Sequence, residues 1–373
     1  MSENLYQKYR PQIFDQVMGQ ESILKDLKKR NQNSSFAQAM LFEGITGCGK
    51  TTLQKIIAKQ ILCKSKDEKG NACNKCEYCQ TVTEEKISNY YFEKNASNLG
   101  IDEIRQLEEI ATKKTLSSAT AKVIIIDEFQ EISNQRAQKN ILKLLEMPLG
   151  NVYFLLGAMN GEKIDRAIKN RCALYKLQPL SVPEIVKYLM YICKEENVSL
   201  DTTEKKQVII SLADTCMGSL RQAISNLERV IYSDLWSVKD LSDELSIISN
   251  ENLNEMINQL LQGDINLLNN KITDDILKRM KFLLNIVYKL ENGLDLNMWQ
   301  KQQISGIKKA SVNNIEHTIS QLNELNKFPY LPSDVIEFAL INIINHNKSV
   351  NILSSMSFDK PQAGKPKERQ GRR

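Results

Sequence analysis

At 373 residues the chain is long enough for two or three domains, and 42% apolar with 25% charged residues is the balance of a protein with a packed core rather than a disordered one. The net charge of +5 is mild and spread out, so it permits contact with nucleic acid without requiring it. No apolar run approaches the length of a membrane span and the N-terminus has no apolar signal core, which argues against a membrane protein and makes the cytoplasm the expected compartment.

The chain opens with Leu5-Tyr6-Gln7-Lys8-Tyr9-Arg10-Pro11 and continues through Phe14 and Val17 to Gly19-Gln20-Glu21. By itself this is a docked N-terminal arm with a few aromatic anchors. Beside a nucleotide site, Tyr9 and Val17 offer apolar surface to a base. A short amphipathic helix follows, carrying Ile23, Leu24 and Leu27. Met40-Leu41-Phe42 is long enough for a buried strand. It leads into Gly44-Ile45-Thr46-Gly47-Cys48-Gly49-Lys50-Thr51, which matches the phosphate-binding pattern G-x-x-x-x-G-K-[ST] at every fixed position. Glycines let the backbone curl so that several N–H groups point into one concavity. Lys50 reaches phosphate oxygens, and the Thr51 hydroxyl suits Mg²⁺. Leu53, Ile56, Ile57 and Ile61 then recur at helical spacing, so the phosphates meet a helix N-terminus.

Four of the eight cysteines fall at Cys63, Cys73, Cys76 and Cys79, while Cys48, Cys172, Cys193 and Cys216 are scattered. Two C-x-x-C steps sharing Cys76, plus a fourth thiol across a turn containing Asp67, Lys69, Gly70 and Asn71, supply four thiolates for a tetrahedral Zn²⁺. With no position left open the site reads as structural. The spacing also fits an iron–sulfur cluster, and unmetallated buried thiols are the third reading.

Tyr90-Tyr91-Phe92-Glu93 is a second strand, and a helix with Ile104, Leu107 and Ile110 opens at Ile101. Val123-Ile124-Ile125-Ile126 is a continuous β-branched run, the mark of a strand buried on both faces of a parallel sheet. It ends in Asp127-Glu128, at the strand end where open α/β sheets bind ligands. Asp127 suits Mg²⁺, and Glu128 suits deprotonation of the water that attacks the γ-phosphate. Ser133 or Asn134 caps a helix bearing Ala137, Ile141, Leu144 and Leu145, stopped by Pro148. Val152 to Leu156 is another buried strand, leading to Met159-Asn160, where Asn160 is the candidate γ-phosphate sensor. Asn170-Arg171-Cys172 precedes a short strand, Ala173-Leu174-Tyr175.

A boundary falls near residues 177–181, where Ser181-Val182-Pro183-Glu184 forms a capping box with proline in the first turn. It starts a helix with Ile185, Leu189 and Ile192. Gly218-Ser219-Leu220-Arg221 begins another, with a stripe of Leu220, Ala223, Ile224, Leu227 and Ile231 that leaves Arg221 free to point elsewhere. Residues 240–350 are helical throughout, and the stretch from Asp359 holds prolines, glycines and six Lys/Arg, the composition of a disordered tail.

Together these residues resemble the gamma/tau subunits of the bacterial DNA polymerase III clamp loader, which are AAA+ ATPases. The likeness covers about residues 5–230 and rests on Tyr9-Arg10-Pro11 with Phe14 and Gly19-Gln20, the phosphate loop, Asp127-Glu128, Asn170-Arg171-Cys172 and Gly218-Ser219-Leu220-Arg221. The four-cysteine insert after the loop helix is the most discriminating item. The resemblance implies an α/β AAA+ P-loop core with a parallel sheet over 1–177, carrying a zinc module at 63–79. It implies an all-α lid over 178–240, an all-α collar or oligomerisation domain over 241–353, and a basic disordered tail over 354–373. ATP would be held by Gly44, Thr46, Gly47, Cys48, Gly49, Lys50, Thr51 and Thr52, with Tyr9 and Val17 at the base. Thr51 and Asp127 would hold Mg²⁺, Glu128 would be the catalytic base, and Arg221 the lid arginine. Arg171 would be a finger reaching the ATP of a neighbouring subunit. The implied partners are other clamp-loader subunits in a hetero-pentameric ring, the sliding clamp and primer-template DNA, with no membrane.

Two departures stand out. The finger motif usually reads Ser-Arg-Cys and here has Asn170, and the aligned sensor position is nearer Met159 than Asn160. The chain ends soon after the expected collar, so the gamma form is expected. Two rival readings use the same residues: an ATP-binding ring scaffold with little turnover, and a helicase loader or initiator of the same superfamily.

Overall fold

The computed structural model describes residues 4–113, 119–132, 135–147, 149–237, 240–241, 250–269, 272–296, 298–325 and 333–356. The chain divides into two compact units, residues 1–241 and 242–373.

The first unit is built on five strands: β1 (Ala39–Glu43), β2 (Tyr91–Asn95), β3 (Lys122–Asp127), β4 (Val152–Ala158) and β5 (Ala173–Lys176), all parallel, in the order β2-β3-β4-β1-β5. Because the sheet is covered on both faces, its central strands are apolar at consecutive positions. Met40, Phe42, Val123, Ile125 and Leu155 pack on one face with Leu53, Ile56 and Ile57 of helix α3 (Lys50–Leu62). Leu41, Ile124, Ile126, Phe154 and Leu156 pack on the other with Leu107, Ile141 and Leu144. A parallel sheet brings all strand ends of one polarity to one edge. Here that edge carries Glu43 before the phosphate loop, Asp127 at the end of β3, and the end of β4 between them.

Two strand boundaries differ from the sequence reading. Strand β2 begins at Tyr91 and runs to Asn95, because Tyr90 turns its ring onto Tyr78 (5.1 Å between centroids) and its hydroxyl onto Thr81 (2.9 Å). Strand β4 continues two residues past Leu156, since Gly157 and Ala158 pair with Phe42 and Glu43. The N-terminal arm contains a four-residue helix, α1 (Leu5–Lys8), capped by Asn4 and anchored where the Leu5 N–H donates to Glu228 Oε1 at 2.9 Å. The helix bearing Ile141 spans Gln135–Glu146. Its expected cap, Ser133 or Asn134, and its expected stop, Pro148, lie outside the described residues, as does the tail from 357 onward.

After β5 come three helices: α8 (Val182–Glu195), α9 (Thr203–Thr215) and α10 (Leu220–Ser233), the eighth to tenth α-helices of the chain. The Ser181–Glu184 capping box forms as read, with Glu184 accepting the Ser181 N–H at 2.7 Å.

The second unit is helical among its described residues: Asn250–Gln262, Asp274–Glu291, Met298–Gln303, Val312–Leu325 and Ser333–Met356. Leu253, Ile257, Leu284, Ile315 and Ile343 are at its core. The carbonyls ending its first helix have no partner within that helix. Asn347 donates to Leu260, Asn314 to Leu261, and Asn351 to Leu261 and Gln262.

Candidate functional site

The phosphate-loop residues fold as a nest between β1 and α3. The Gly44 N–H is tied to the Ala158 carbonyl at 3.1 Å, which pins the loop's start to β4. Gly47 and Gly49 take φ values of 77° and 104°, open to glycine and disfavoured for other residues. A Cβ on Gly44 would stand 2.8 Å from Cys48 Sγ, so the loop folds onto its own cysteine. Burial pushes the Cys48 thiol up against the pull of Lys50, leaving it a packing residue. A Cβ on Gly49 would meet nothing within 4 Å, so the space beside it is open. The Lys50 ammonium donates to the carbonyls of Gly44 and Ile45 at 2.8 and 2.9 Å. The Thr51 hydroxyl donates to Asp127 Oδ2 at 2.5 Å, a hydroxyl–carboxylate pair suited to a hard cation such as Mg²⁺.

Asp127 ends β3, two strands away from β1, with β4 between. Room for its carboxylate comes from Gly157 on β4, where a Cβ would lie 2.4 Å from Asp127 Oδ1. The other constraint on Asp127 is the Glu128 N–H, donating to Oδ1 at 2.9 Å. Glu128 itself has φ 50°, a left-handed conformation that costs a non-glycine residue roughly 1–2 kcal/mol. That turn carries its carboxylate off the strand axis, where Asn95 Nδ2 donates to Oε2 at 2.8 Å. Asn95 is the last residue of β2 and stands in register with Asp127. The same strand is joined to α3 by Lys55, paired with Glu93 at 3.5 Å.

Two adjoining clefts meet at the loop. The polar one is lined by Thr46, Lys50, Thr51, Asp127, Glu128 and Met159. The apolar one is walled by Tyr9, Pro11, Val17, Cys48, Leu180 and Ile224, with Arg10 at its side. Tyr6, Gly47, Gly49, Thr52 and Arg221 line both. The N-terminal arm and α8–α10 therefore border the loop together. Arg221 stands at the start of α10, its guanidinium 5.1 Å from the Tyr6 ring centre. Ser219 caps that helix, and a Cβ on Gly47 would strike its Oγ at 2.2 Å. The arm is latched to α8 where the Tyr188 hydroxyl donates to the Tyr9 carbonyl at 2.6 Å. At the C-terminal end of α8, Glu196 accepts from Lys8 and Tyr9 at 2.7 and 2.5 Å.

The four cysteine sulfurs lie within 4.8 Å of one another, with Cys63–Cys73 at 3.6 Å and Cys63–Cys76 at 4.0 Å. Tetrahedral zinc with bonds of about 2.3 Å spaces its sulfurs by ~3.8 Å, so the cluster fits such an ion. Backbone N–H groups also point at sulfur, from Cys73 to Cys63 and from Cys76 to Cys73, both at 3.3 Å. Backbone donors at Lys75 and Cys76 bring the Cys73 thiol down to about 6, whereas burial pushes Cys63 and Cys79 up. A cation among them reverses that second tendency by stabilising the thiolates.

Two predicted residues sit elsewhere. Asn160 lines neither cleft: its side chain caps a short turn, accepting the Glu162 N–H at 2.8 Å, and Met159 takes the place beside the loop. Thr46 Oγ1 lies 3.2 Å from the Met159 sulfur. Arg171 is exposed at the end of the helix Arg166–Arg171, paired with Glu146 at 3.1 Å, and lines neither cleft. Sequence reasoning missed Tyr6, Arg10, Asn95 and Gly157. Of these only Arg10 and Tyr6 had a signal, as polar and aromatic neighbours of Tyr9.

A family model described as DNA polymerase III, delta subunit, matches residues 19–181. The DNA polymerase III gamma/tau subunit of Mycoplasma genitalium is 31% identical over 268 residues, 71% of this chain and 44% of that protein. The tau subunit of Bacillus subtilis is 34% identical over 238 residues, 63% of this chain and 41% of that protein. The chain thus spans less than half the length of these two relatives. Among solved structures, a RuvB variant of Thermotoga maritima aligns over 87% of this chain and 99% of its own, at 13% identity and a TM-score of 0.49. With the phosphate loop, the paired acids and the cysteine cluster in place, these comparisons support a subunit of the DNA polymerase III gamma/tau type.

Proposed function

We propose that this chain is an ATP-driven motor subunit of a clamp loader, using ATP to open a sliding clamp and load it on primer-template DNA. The observation that carries the reading is the meeting of an apolar, tyrosine-walled cleft with a polar one lined by Lys50, Thr51, Asp127 and Glu128. A purine and its triphosphate match that pair of surfaces. The loop N–H groups and Lys50 would bind the phosphates, with Gly44, Thr46, Gly47, Cys48, Gly49 and Thr52 shaping the cradle. Thr51 and Asp127 would hold Mg²⁺, which neutralises phosphate charge. Glu128 would take the proton of the attacking water. Arg221 would report on phosphate from helices α8–α10, assigned as the lid over 178–240. Arg171, directed away from its own clefts, would complete the site of a neighbour in a hetero-pentameric ring built by the collar over 241–353. Cys63, Cys73, Cys76 and Cys79 would hold a structural Zn²⁺. The chain would act in the cytoplasm, and its hydrolysis would be stimulated by DNA.

The test is ATP turnover by the reconstituted assembly with clamp, primer-template DNA and partner subunits. Lys50→Ala is expected to lower turnover by about 100-fold or more while leaving the melting temperature near wild type. Turnover by Lys50→Ala at the wild-type rate refutes the assignment. One observation favours a ring scaffold with little turnover: a thioether, Met159, faces the phosphate cleft where a polar sensor would serve. Single-turnover hydrolysis unaffected by Glu128→Gln would select that reading.

A further inference from the structure

Lys59 is a buried ammonium whose partners belong to two different parts of the fold. It lies on α3 beyond the phosphate loop and is 3% exposed. Its Nζ donates to Gln12 Oε1 at 2.5 Å and to Asn74 Oδ1 at 3.1 Å. Both acceptors are neutral amides, and burying an ammonium among neutral groups is costly. Burial lowers the pKa of the ammonium, with Lys55 and Arg10 acting the same way and Cys79 against them. Its two acceptors therefore fix where it sits.

Each acceptor leads to a site. Asn74 stands between Cys73 and Cys76, in the left-handed conformation with φ 57°, and its N–H points at Cys79. The direction of its side chain is thus set by the turn that carries the thiols. Gln12 leads the other way. Its Nε2 donates to the Arg10 carbonyl at 2.9 Å, and Arg10 Nε donates to Thr52 Oγ1 at 3.3 Å. Arg10 and Thr52 both line the apolar cleft.

We propose that Lys59 is a positioning residue coupling the metal state of the cysteine module to the shape of the nucleotide cleft. With metal bound, the ordered turn fixes Asn74, Asn74 and Gln12 together fix Lys59, and Gln12 holds the backbone at Arg10. Without it, the turn loosens, Asn74 leaves Lys59, and the ammonium no longer fixes Gln12. Such coupling is reciprocal in binding free energy, so nucleotide raises zinc affinity by the factor by which metal tightens nucleotide. The proposal rests on the reading that the cleft binds ATP.

The experiment uses the zinc-loaded full chain. Nucleotide affinity is measured first, with a non-hydrolysable ATP analogue and Mg²⁺, and then zinc affinity by equilibrium competition with a chelator, with and without that analogue. In the wild type the analogue is expected to raise zinc affinity about fivefold. In Lys59→Met and in Gln12→Leu the two zinc affinities should coincide, and nucleotide affinity should fall by a similar factor. Gln12→Glu separates coupling from folding, because it keeps an acceptor for Lys59, now charged, and removes the donor to Arg10. It should hold zinc at least as well as the wild type yet show no nucleotide effect. Measured nucleotide binding with no effect on zinc affinity in the wild type overturns the coupling alone. A nucleotide effect that persists in Lys59→Met and Gln12→Leu also overturns it. Absence of nucleotide binding in the wild type overturns the reading of the cleft, and the coupling with it.

Discussion

Gly157 offers a sharp test of how the acidic pair is held. A Cβ there would lie 2.4 Å from Asp127 Oδ1 and 3.1 Å from Gln54 Nε2. Ordinary contact begins near 3.4 Å, so in Gly157→Ala the carboxylate must retreat by about 1 Å. Oδ1 then releases the Glu128 N–H at 2.9 Å, and Oδ2 moves from the Thr51 hydroxyl at 2.5 Å. Each hydrogen bond to a charged group contributes roughly 1.5–3 kcal/mol, and a displacement of this size at a reacting centre costs about 100-fold in rate. Gly157→Ala should therefore lower Mg²⁺-dependent ATP turnover by about 100-fold. Stability should fall by about 1–3 kcal/mol, the range for overpacking a core. Nucleotide binding measured without Mg²⁺ should be nearly unchanged, because the loop N–H groups and Lys50 are untouched. Adding Gly157→Ala to Asp127→Asn should cost little more, since both act through one carboxylate. Wild-type turnover in Gly157→Ala would refute the reasoning, as would an equal loss of Mg²⁺-free binding.

Asn95→Asp keeps the oxygen that accepts the Ser97 N–H at 2.9 Å but replaces the amide donor to Glu128 with a like charge. On the reading that Glu128 is the base, turnover should rise by roughly tenfold, because its carboxylate is no longer restrained by the Asn95 amide; an unchanged rate sinks this role for Asn95. In the second unit, His317 and His346 stack with centroids 3.6 Å apart, and burial followed by the His346 charge lowers the His317 pKa below its ordinary 6.5. A lowered histidine favours the neutral ring in the folded state, so its stability is present above pH 6.5 and is lost as pH falls through the folded value. Thermal melts should show a wild-type transition that drops below pH 6.5 more steeply than that of His317→Gln; parallel curves would dismiss the effect.

What was legible in the sequence was chemistry that lies within one local stretch. The phosphate loop announces itself because a backbone nest demands glycine at fixed offsets and a lysine at the helix start. The acids at 127–128 are visible because they end an uninterrupted β-branched run, and the cysteines because metal ligands recur at short spacing. What escaped is set by register between distant segments. Gly157 looks like any strand glycine until β4 is laid against β3, where it faces Asp127. Asn95 is an ordinary polar strand end until β2 pairs with β3 and places it opposite Asp127. The helix Leu5–Lys8 is too short for a periodic signal and is held by Glu228, more than two hundred residues away. Asn160 stands outside both clefts for a related reason: β4 runs to Ala158, and the turn that follows uses the asparagine as its own cap.

The site's charged and polar groups share one further property. Lys50 is held by the carbonyls of Gly44 and Ile45, Thr51 by Asp127, Glu128 by Asn95, and Arg221 by the face of Tyr6. Each is therefore oriented before any ligand arrives. A triphosphate must exchange these internal contacts for its own, so the affinity it shows is a difference between two sets of interactions. Weakening an internal partner can then tighten nucleotide while loosening the order of the site. Tyr6→Leu should separate the two. It removes the ring facing Arg221 but keeps the apolar surface of the cleft, so nucleotide affinity should hold or rise while turnover falls. A Tyr6→Leu protein that loses affinity and turnover in equal measure would place Tyr6 on the ligand rather than on Arg221.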